Sequence, residues 1–382
     1  MVAPYHSPAI GKILGVVDEV RVVADPLEAR LLAPEPGGAV RVALAVPTSG
    51  TLGMMAPAVL NCARLAVAEL NAAGGLLGRP IELVLLDAGR HPQTVAAELA
   101  ELARAGAIAA VVGTHASDVR VATVTALQGR IPYVFTPPYE GGEHAPGVYL
   151  LGETPARQLR PALDWLVRHR RARRWALVGN DYVWPRMLHH AAVAYLRAAG
   201  AQVVAARYLP FGALDPAPLL DLIAKRRADA VLLTLVGSDL AAFNRAYGES
   251  PLRSPRLCAA LEENGLLATG GDATGELYAT MGYFGNVATD AGLAFVERYT
   301  HRYGWQAPVL NGHAEACYDG VRLLHALASR AGSLNPAAMD ATADGTTITG
   351  GRGRVTVTSR HVDQPVYLAR ADGLDFDVID SF

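Results

Sequence analysis

The chain contains very little lysine. Among its 34 basic residues, only Lys12 and Lys225 are lysines. Lys12 precedes Ile13 and Lys225 precedes Arg226, so neither can belong to a GxxxxGK[ST] loop, which needs serine or threonine after its lysine. A Schiff-base enzyme would have to use one of the same two residues. The sequence therefore excludes Walker-type ATP chemistry and argues against pyridoxal chemistry.

Cysteine is also scarce. The three cysteines, Cys62, Cys258 and Cys317, lie far apart and form no CxxC pair. This spacing is typical neither of a zinc site nor of a disulfide framework, although a single distant bridge stays open. We therefore expect no metal and no cofactor.

Long apolar runs and an excess of one charge are missing as well. No stretch approaches eighteen consecutive apolar residues, so we expect no transmembrane segment. The apolar run 13–17 meets Asp18 and Glu19 at once and follows no basic region, unlike a signal peptide. The chain as written is thus predicted to be cytoplasmic, or periplasmic or extracellular if the native start was trimmed. A formal net charge of −2 gives no reason to expect direct nucleic-acid binding.

What the sequence does contain is a repeated alternation of short β-rich runs and helical patterns. The first block predicts strands over 41–47, 81–87, 107–113 and 132–136 and helices over 57–71, 92–105 and 119–128. The second predicts strands over 175–180, 202–210, 230–237 and 256–261 and helices over 155–168, 185–199, 216–227 and 240–247. Two further helices, over 290–303 and 313–330, precede short strands within 345–370. Such alternation indicates parallel βαβ units, so we predict an α/β fold of two Rossmann-like lobes with parallel sheets.

Polar and aromatic side chains follow the predicted strands. In open α/β sheets a ligand binds beyond the carboxyl ends of the strands, where helix N-termini also lie. The segments at these ends are 48–50, 114–118, 135–139, 180–184, 237–239 and 262–263, which include Gly237. Hydroxyls recur in the first block, and aromatic and acidic groups in the second. This set suits the enclosure of a small polar solute in a cleft between the lobes.

Each of these residues also has a purely structural interpretation. Ser117 is suited to cap a helix, and Trp184 before Pro185 could pack over a helix start. Glu262 and Glu263 could favour a helix N-terminus without any ligand. Taken singly, these interpretations are preferred; the clustering at strand ends in both blocks favours the cleft.

Signatures of catalysis are absent from the pattern. His115, Ser117 and Asp118 are adjacent in sequence, which does not orient a triad, and no GxSxG motif occurs. His313 and Glu315 match half of a zinc deaminase motif, but no later CxxC accompanies them, so a structural pair on a helix is expected. We predict that the protein is not an enzyme.

Several motifs resemble one family. The stretch Val67–Glu82 with the later Asp87 is similar to the first helix-turn-strand of type I periplasmic binding proteins, the leucine/isoleucine/valine-receptor group. The segments 138–141, 178–186, 208–212 and 313–318 resemble its branch that binds urea and short-chain amides, including the cytoplasmic amide sensor of amidase operons. The similarity runs from about Arg41 to the C-terminus.

The resemblance implies two lobes hinged around a central ligand cleft. It implies an N-terminal extension and linker over 1–40, a first lobe of 41–152 plus 286–332, and a second lobe of 153–285 plus 333–382. Ser117 would then hydrogen-bond the solute, Tyr182 and Trp184 would cover it, and Tyr139 would lie near the hinge.

Some expected pocket positions differ from the amide-binding branch. His115 stands where that branch usually has an aromatic residue, and Phe135 begins an altered segment before the hinge. Thr136 resembles the threonine with which amino-acid-binding relatives hold a carboxylate, and Glu262 or Glu263 could then face an α-amine. We rank a short amide or urea-like ligand first and a branched-chain or aliphatic amino acid second.

The same resemblance leaves the biological role open. The protein could be a ligand sensor with a regulatory partner protein, or a receptor that delivers its solute to an ABC transporter permease. An amide-processing enzyme is the third and least favoured reading, and a homodimer stays open.

Overall fold

The computed structural model describes residues 20–31 and 37–382, which form two α/β lobes. Because 1–19 and 32–36 lie outside the described residues, the expected extension and linker over 1–40 are described only in part. Within this N-terminal part, Val22–Val23 is a strand that pairs in parallel with the strand Ile81–Asp87 at the edge of the first sheet.

The first lobe opens with the expected alternation. Its elements are β1 (Val22–Val23), α1 (Pro26–Leu31), β2 (Val40–Val46), α2 (Ala56–Ala72), β3 (Ile81–Asp87), α3 (Pro92–Arg104), β4 (Ala110–Gly113), α4 (Ser117–Leu127), β5 (Tyr133–Phe135) and β6 (Val148–Leu150). All pairs among these strands are parallel. Every residue of β2 is buried, as expected of a central strand with helices on both faces.

The second lobe follows the same pattern. Its elements are α5 (Pro155–His169), β7 (Arg174–Asn180), α6 (Val183–Ala198), β8 (Gln202–Leu209), α7 (Pro216–Lys225), β9 (Ala230–Thr234), α8 (Gly237–Glu249), β10 (Arg256–Cys258), α9 (Glu263–Thr269) and β11 (Leu277–Met281). Strands β7 to β11 pair in parallel in the order β11-β10-β9-β7-β8.

The C-terminal part of the chain is divided between the lobes. It contains α10 (Asp290–Tyr303), α11 (Gly312–Ala331), α12 (Pro336–Thr342), β12 (Thr347–Gly350), β13 (Gly353–Thr358), β14 (His361–Asp363), β15 (Tyr367–Asp372) and β16 (Asp375–Ser381). Strands β12 to β14 extend the first sheet, where His361 pairs with Leu150, whereas β15 and β16 extend the second sheet. The expectation that 333–382 lies wholly in the second lobe is therefore wrong for 333–363. Sequence alternation shows that these are strands but not which sheet they join.

Each sheet is covered by apolar helix faces on both sides. In the first lobe, α2 and α11 pack on one face of the sheet and α3 and α4 on the other. In the second, α7, α8 and α9 cover one face and α5 and α6 the other. The predicted fold class, two Rossmann-like lobes, is confirmed, although antiparallel strands at the sheet edges make the sheets mostly rather than wholly parallel.

One segment, Gly53–Ala72, has the length and composition that would suffice to cross a membrane. In this fold it contains α2, which packs in the core of the first lobe: Val59, Cys62 and Ala63 are fully buried there. Membrane-spanning helices and buried core helices share this composition. The burial of α2 in the first lobe accounts for its apolar residues.

Three chain segments cross between the lobes, over 151–154, 282–289 and 364–366. Arg352, buried in the first lobe, contacts two of them: its guanidinium donates to Glu153 Oε1 at 3.0 Å and to Gln364 Oε1 at 2.7 Å. It also forms an ion pair with Glu315 of α11. In the second crossing, 282–289, a Cβ added at Gly282 would lie 2.0 Å from Glu153 Oε1, so this network fills the space between the crossings.

Candidate functional site

A cleft lies between the lobes at the carboxyl ends of the parallel strands. It holds about 530 Å³ of empty space, including its open mouth. The first lobe lines it with Leu52, Met55, His115, Ala116, Ser117, Pro137, Pro138 and His313. The second lobe contributes Tyr182, Trp184, Val236, Gly237, Ala260 and Glu262.

The two lobes touch beside this cleft. The backbone N–H of Ser238 donates to the carbonyl oxygen of Thr51 at 3.0 Å. Gly237 has a φ of +53°, and a Cβ at this position would lie 2.1 Å from the same carbonyl oxygen. Only glycine therefore permits the close approach of α8 to the first lobe.

Six of the nine predicted site residues line the cleft. They are His115, Ser117, Tyr182, Trp184, Gly237 and Glu262.

Ser117 begins α4, and its hydroxyl makes no hydrogen bond with the described residues. The cap position itself is occupied by Ala116, without a side-chain bond. The first N–H groups of a helix have no helical acceptor, so this end of the cleft offers donors to an anionic or carbonyl group.

The other three predicted residues, Phe135, Thr136 and Tyr139, lie behind the cleft wall and do not line the cleft, contrary to the expected placement. Thr136 is fully buried, and its hydroxyl pairs with that of Thr114 at 2.7 Å. Phe135 is fully buried in the core of the first lobe. The Tyr139 hydroxyl bonds to His361 of β14. Strand side chains alternate between faces, and the sequence alone does not show on which side the last residue of a strand ends.

His115 shapes the wall and offers no free polar group. Its Nε2 lies 3.0 Å from the Tyr133 hydroxyl and its Nδ1 lies 3.0 Å from the carbonyl oxygen of Ala116. Burial lowers the pKa of His115 to about 4. A neutral imidazole that donates from Nδ1 and accepts at Nε2 satisfies both contacts.

The second lobe supplies an aromatic wall. The rings of Tyr182 and Trp184 lie nearly parallel with centroids 6.3 Å apart, and Phe211 lies 5.0 Å from Tyr182. Trp184 is 3% exposed, and its Nε1–H has no partner among the described residues. Tyr182 follows β7 as the N-cap of α6, and Trp184 lies in the first turn of α6, within the segment 180–184 that the sequence indicated.

Glu262 is the one acidic residue in the cleft lining, which includes no lysine or arginine among the described residues. Its carboxylate caps α9 by accepting from the N–H groups of Asn264 at 2.8 Å and Gly265 at 3.0 Å. Burial raises the pKa of Glu262 to about 7 and that of the neighbouring Glu263 to about 8. Glu263 bonds to the N–H of Gly285 and does not line the cleft.

Sequence reasoning missed His313, which it assigned to a structural pair with Glu315. The structure separates the two: Glu315 pairs with Arg352, whereas His313 lines the cleft from the first turn of α11. Asn311 caps this helix by accepting from the backbone N–H of His313 at 3.1 Å. The cap after a loop was a usable signal for a helix start, but nothing in the sequence showed that this end meets the cleft.

The apolar residues Leu52 and Met55 were missed as well. They follow β2 beyond the segment 48–50, in a short turn that leads into α2. Sequence reasoning stopped at the hydroxyl groups, although a pocket for a small solute also needs apolar walls.

The described residues include no group of three or more His, Cys, Asp or Glu side chains that could hold a metal ion. The three cysteines are buried and free. The chemistry available in this cleft is thus hydrogen bonding, one titratable carboxyl group and apolar or aromatic contact.

The chain matches a known protein family and is similar in fold to solved structures. A model of the family described as periplasmic binding protein matches residues 39–375. Among solved structures, an ABC transporter solute-binding protein from R. palustris in complex with 4-hydroxybenzoate is similar with a TM-score of 0.80 at 21% identity, covering 90% of this chain and 97% of that chain.

Two further solved structures are similar. A leucine-binding protein from Thermotoga maritima has a TM-score of 0.78 at 19% identity, covering 90% of this chain and 98% of that one. A branched-chain amino acid transporter substrate-binding protein from Streptococcus pneumoniae, in complex with isoleucine, has a TM-score of 0.78 at 18% identity with the same coverage. At these identities, the structures show a shared fold.

Proposed function

Since this chain belongs to the periplasmic binding protein family, we propose that it is the solute receptor of an ABC-type transporter and closes its lobes on a small amino acid. The observation that carries this proposal is the charge layout of the cleft. Glu262 is its one acidic side chain, and the start of α4 with the unpaired Ser117 hydroxyl contributes from the other lobe. A zwitterion matches both ends: its carboxylate fits the helix N-terminus and its ammonium group fits Glu262.

The remaining walls suit an uncharged side chain. Leu52, Met55, Val236 and Trp184 supply apolar and aromatic contact. This arrangement reverses the order of the two ligand classes given by the sequence, because relatives of the same fold bind branched-chain amino acids or benzoates. The receptor role also favours a periplasmic or extracellular location over the cytoplasmic one expected from the N-terminal sequence.

The mechanism requires no catalytic step. A solute that contacts both lobes stabilises the closed arrangement, whereas one that binds open and closed states equally would shift nothing. Ser117 and Glu262 lie on opposite lobes, so one zwitterion that spans them couples binding to closure.

A short amide is the second candidate ligand. It is favoured by the pKa of Glu262, which burial raises to about 7. Near neutral pH this carboxyl group is partly protonated and can pair with an uncharged amide. In that case the sensor role, with a regulatory partner protein, becomes the better interpretation.

The proposal is tested by a thermal-shift and calorimetric screen of the full chain. The panel contains aliphatic and polar amino acids, benzoates, short amides and urea at millimolar concentration. A micromolar amino-acid ligand at that dose should stabilise the protein by about 4 kcal/mol. Selective binding of benzoates would overturn the role of Glu262, and selective binding of amides or urea would replace the receptor by the sensor.

Two variants connect the result to the cleft. Ser117→Ala and Glu262→Gln should each weaken amino-acid binding at least tenfold. Glu249→Gln is the matched control, because Glu249 is an exposed residue at the end of α8 and outside the cleft. Equal affinities in all three variants would contradict the proposed contacts.

A further inference from the structure

Two polar groups in the cleft wall lack a hydrogen-bond partner in the described part of the chain. The Nε1–H of Trp184 and the Nδ1 of His313 are buried without a hydrogen bond among the described residues. Trp184 is 3% and His313 is 7% exposed. Buried polar groups in folded proteins are nearly always paired, so each such exception calls for an explanation.

The Nδ1 of His189 is also buried without a partner among the described residues, but His313 differs from the other buried histidines because neither of its ring nitrogens has a hydrogen bond to a described residue. His115 bonds through both ring nitrogens, and His189 of α6 bonds to Thr234 at 2.8 Å through Nε2. The imidazole of His313 makes no hydrogen bond with any described residue, although it lines the cleft. The ring nitrogens of His313 therefore contribute no hydrogen bond that stabilises the fold.

The charge of this imidazole is fixed by its surroundings. Burial, assisted by the nearby Arg352 guanidinium, lowers the pKa of His313 to about 4. Arg352 reaches the same helix end, where it donates to the carbonyl oxygen of Gly312 at 3.1 Å. A neutral imidazole carries one N–H donor and one acceptor nitrogen.

The two unpaired residues come from opposite lobes. His313 belongs to α11 of the first lobe, and Trp184 to α6 of the second. The indole can only donate, whereas the neutral imidazole can donate or accept. One uncharged group with both a donor and an acceptor could satisfy them together, whereas an alkyl group could satisfy neither.

We infer that His313 and Trp184 select a solute whose side chain ends in an uncharged hydrogen-bonding group, a carboxamide or a hydroxyl, in preference to a purely aliphatic amino acid. This inference rests on the proposed function, in which Glu262 and the start of α4 hold the ammonium and carboxylate groups. A carboxamide oxygen accepts from Trp184 Nε1–H, and its NH₂ group donates to the free imidazole nitrogen; a hydroxyl supplies the same two functions in one atom.

The test compares amino acids of equal shape by isothermal titration calorimetry on the full chain. Asparagine is compared with leucine, and threonine with valine, because each pair differs chiefly in polarity; aspartate tests whether a charge is tolerated. Sites built around a hydrogen bond reject analogues that lack it strongly. We expect at least a tenfold preference for asparagine over leucine or for threonine over valine, and weaker binding of aspartate than of asparagine. A larger preference within the asparagine–leucine pair would indicate a carboxamide ligand, and a larger preference within the threonine–valine pair would indicate a hydroxyl ligand.

Two variants assign the preference to the named side chains. His313→Phe removes both ring nitrogens and Trp184→Phe removes the N–H while each keeps an aromatic ring, so each should bring the polar-to-apolar affinity ratio close to one. The matched control is His301→Phe on α10, where His301 is exposed and outside the cleft; it should keep the wild-type ratio. The affinities of the wild-type protein for these amino acids test the inference even if a variant does not fold.

The outcomes separate the inference from the proposed function. Equal or tighter binding of leucine and valine by the wild type, or an unchanged ratio in His313→Phe, overturns the inference and leaves the amino-acid receptor standing. Failure of every amino acid to bind the wild type overturns both.

Discussion

At the scale of single residues, the cleft depends on a few side chains whose chemistry is set by burial. Glu262 illustrates this: the sequence showed an acid at a helix start, and it does cap α9. Enclosure in the cleft adds a second property, since burial raises its pKa to about 7. The same residue thus caps a helix and presents its carboxyl group in the cleft lining.

This pKa predicts a pH-dependent affinity. An ammonium group binds the ionised carboxylate, whose population rises as the pH increases through 7. We expect the affinity for an amino acid to rise about tenfold between pH 6 and pH 8, because the ionised fraction rises by about that factor. Calorimetry at both pH values measures it.

The controls for this prediction are amide variants. Glu262→Gln should bind more weakly and lose most of the pH dependence, whereas Glu249→Gln should keep it. A wild-type affinity that is flat or falls from pH 6 to pH 8 would contradict an ammonium contact at Glu262.

Gly237 gives a second prediction at this scale. A methyl group there would meet the Thr51 carbonyl oxygen of the opposite lobe, in a backbone conformation with φ of +53°. Gly237→Ala should therefore hinder closure and weaken ligand binding at least tenfold. Gly248→Ala in the same helix is the control, because a Cβ there has nothing within 4 Å. Calorimetry that gives equal affinities for the two variants would show that the Thr51 contact is not needed.

At the scale of elements, the crossings between the lobes form a shared buried network. Arg352 follows β12 and contacts the first and third crossings through Glu153 and Gln364. Its side chain is 2% exposed, and that of Glu153 is 1% exposed. These charges lie far from water, so their pairing matters for the stability of the hinge.

Removing the guanidinium should destabilise the protein strongly. Arg352→Met leaves Glu153 and Glu315 buried without their cation, a change that costs about 3–5 kcal/mol in comparable cases. Arg354→Met on the neighbouring strand is exposed and should change the unfolding free energy by less than about 0.5 kcal/mol. Chemical denaturation of both variants measures the difference, and equal stabilities would mean that the network contributes little.

At the scale of the whole molecule, the proposed function requires two lobes that move as units. The lobes have separate apolar cores, and besides the crossings they touch where Ser238 bonds to Thr51. Each core is complete without the other, so rotation about the crossings can open the cleft without exposing a core.

Ligand binding should therefore make the protein more compact. Small-angle X-ray scattering with and without a saturating ligand should show a smaller radius of gyration in the bound state. Gly237→Ala at saturating ligand should show a smaller decrease. An unchanged radius in the wild type would contradict closure on the ligand.

The sequence by itself determined the elements with strong local signals. The strand over 81–87 and the helix over 290–303 agree with β3 and α10, since both have apolar periodicity bounded by clear stop signals. The sequence also predicted that Ser117, Tyr182, Trp184 and Glu262 lie at one cleft, because a parallel sheet places the ends of its strands at one edge. The short strands β6 and β11 and the helix α12 were not predicted, because such short segments have little periodicity.

Only the tertiary structure decided how these elements combine. It assigned β12 to β14 to the first sheet, turned Thr136 behind the cleft wall, and brought His313 from a distant helix to the cleft. Hydrogen-bond pairing between strands and the burial of a side chain depend on residues far apart in the chain. Local sequence patterns report periodicity, whereas partner choice and burial are set by the packing of the whole lobe.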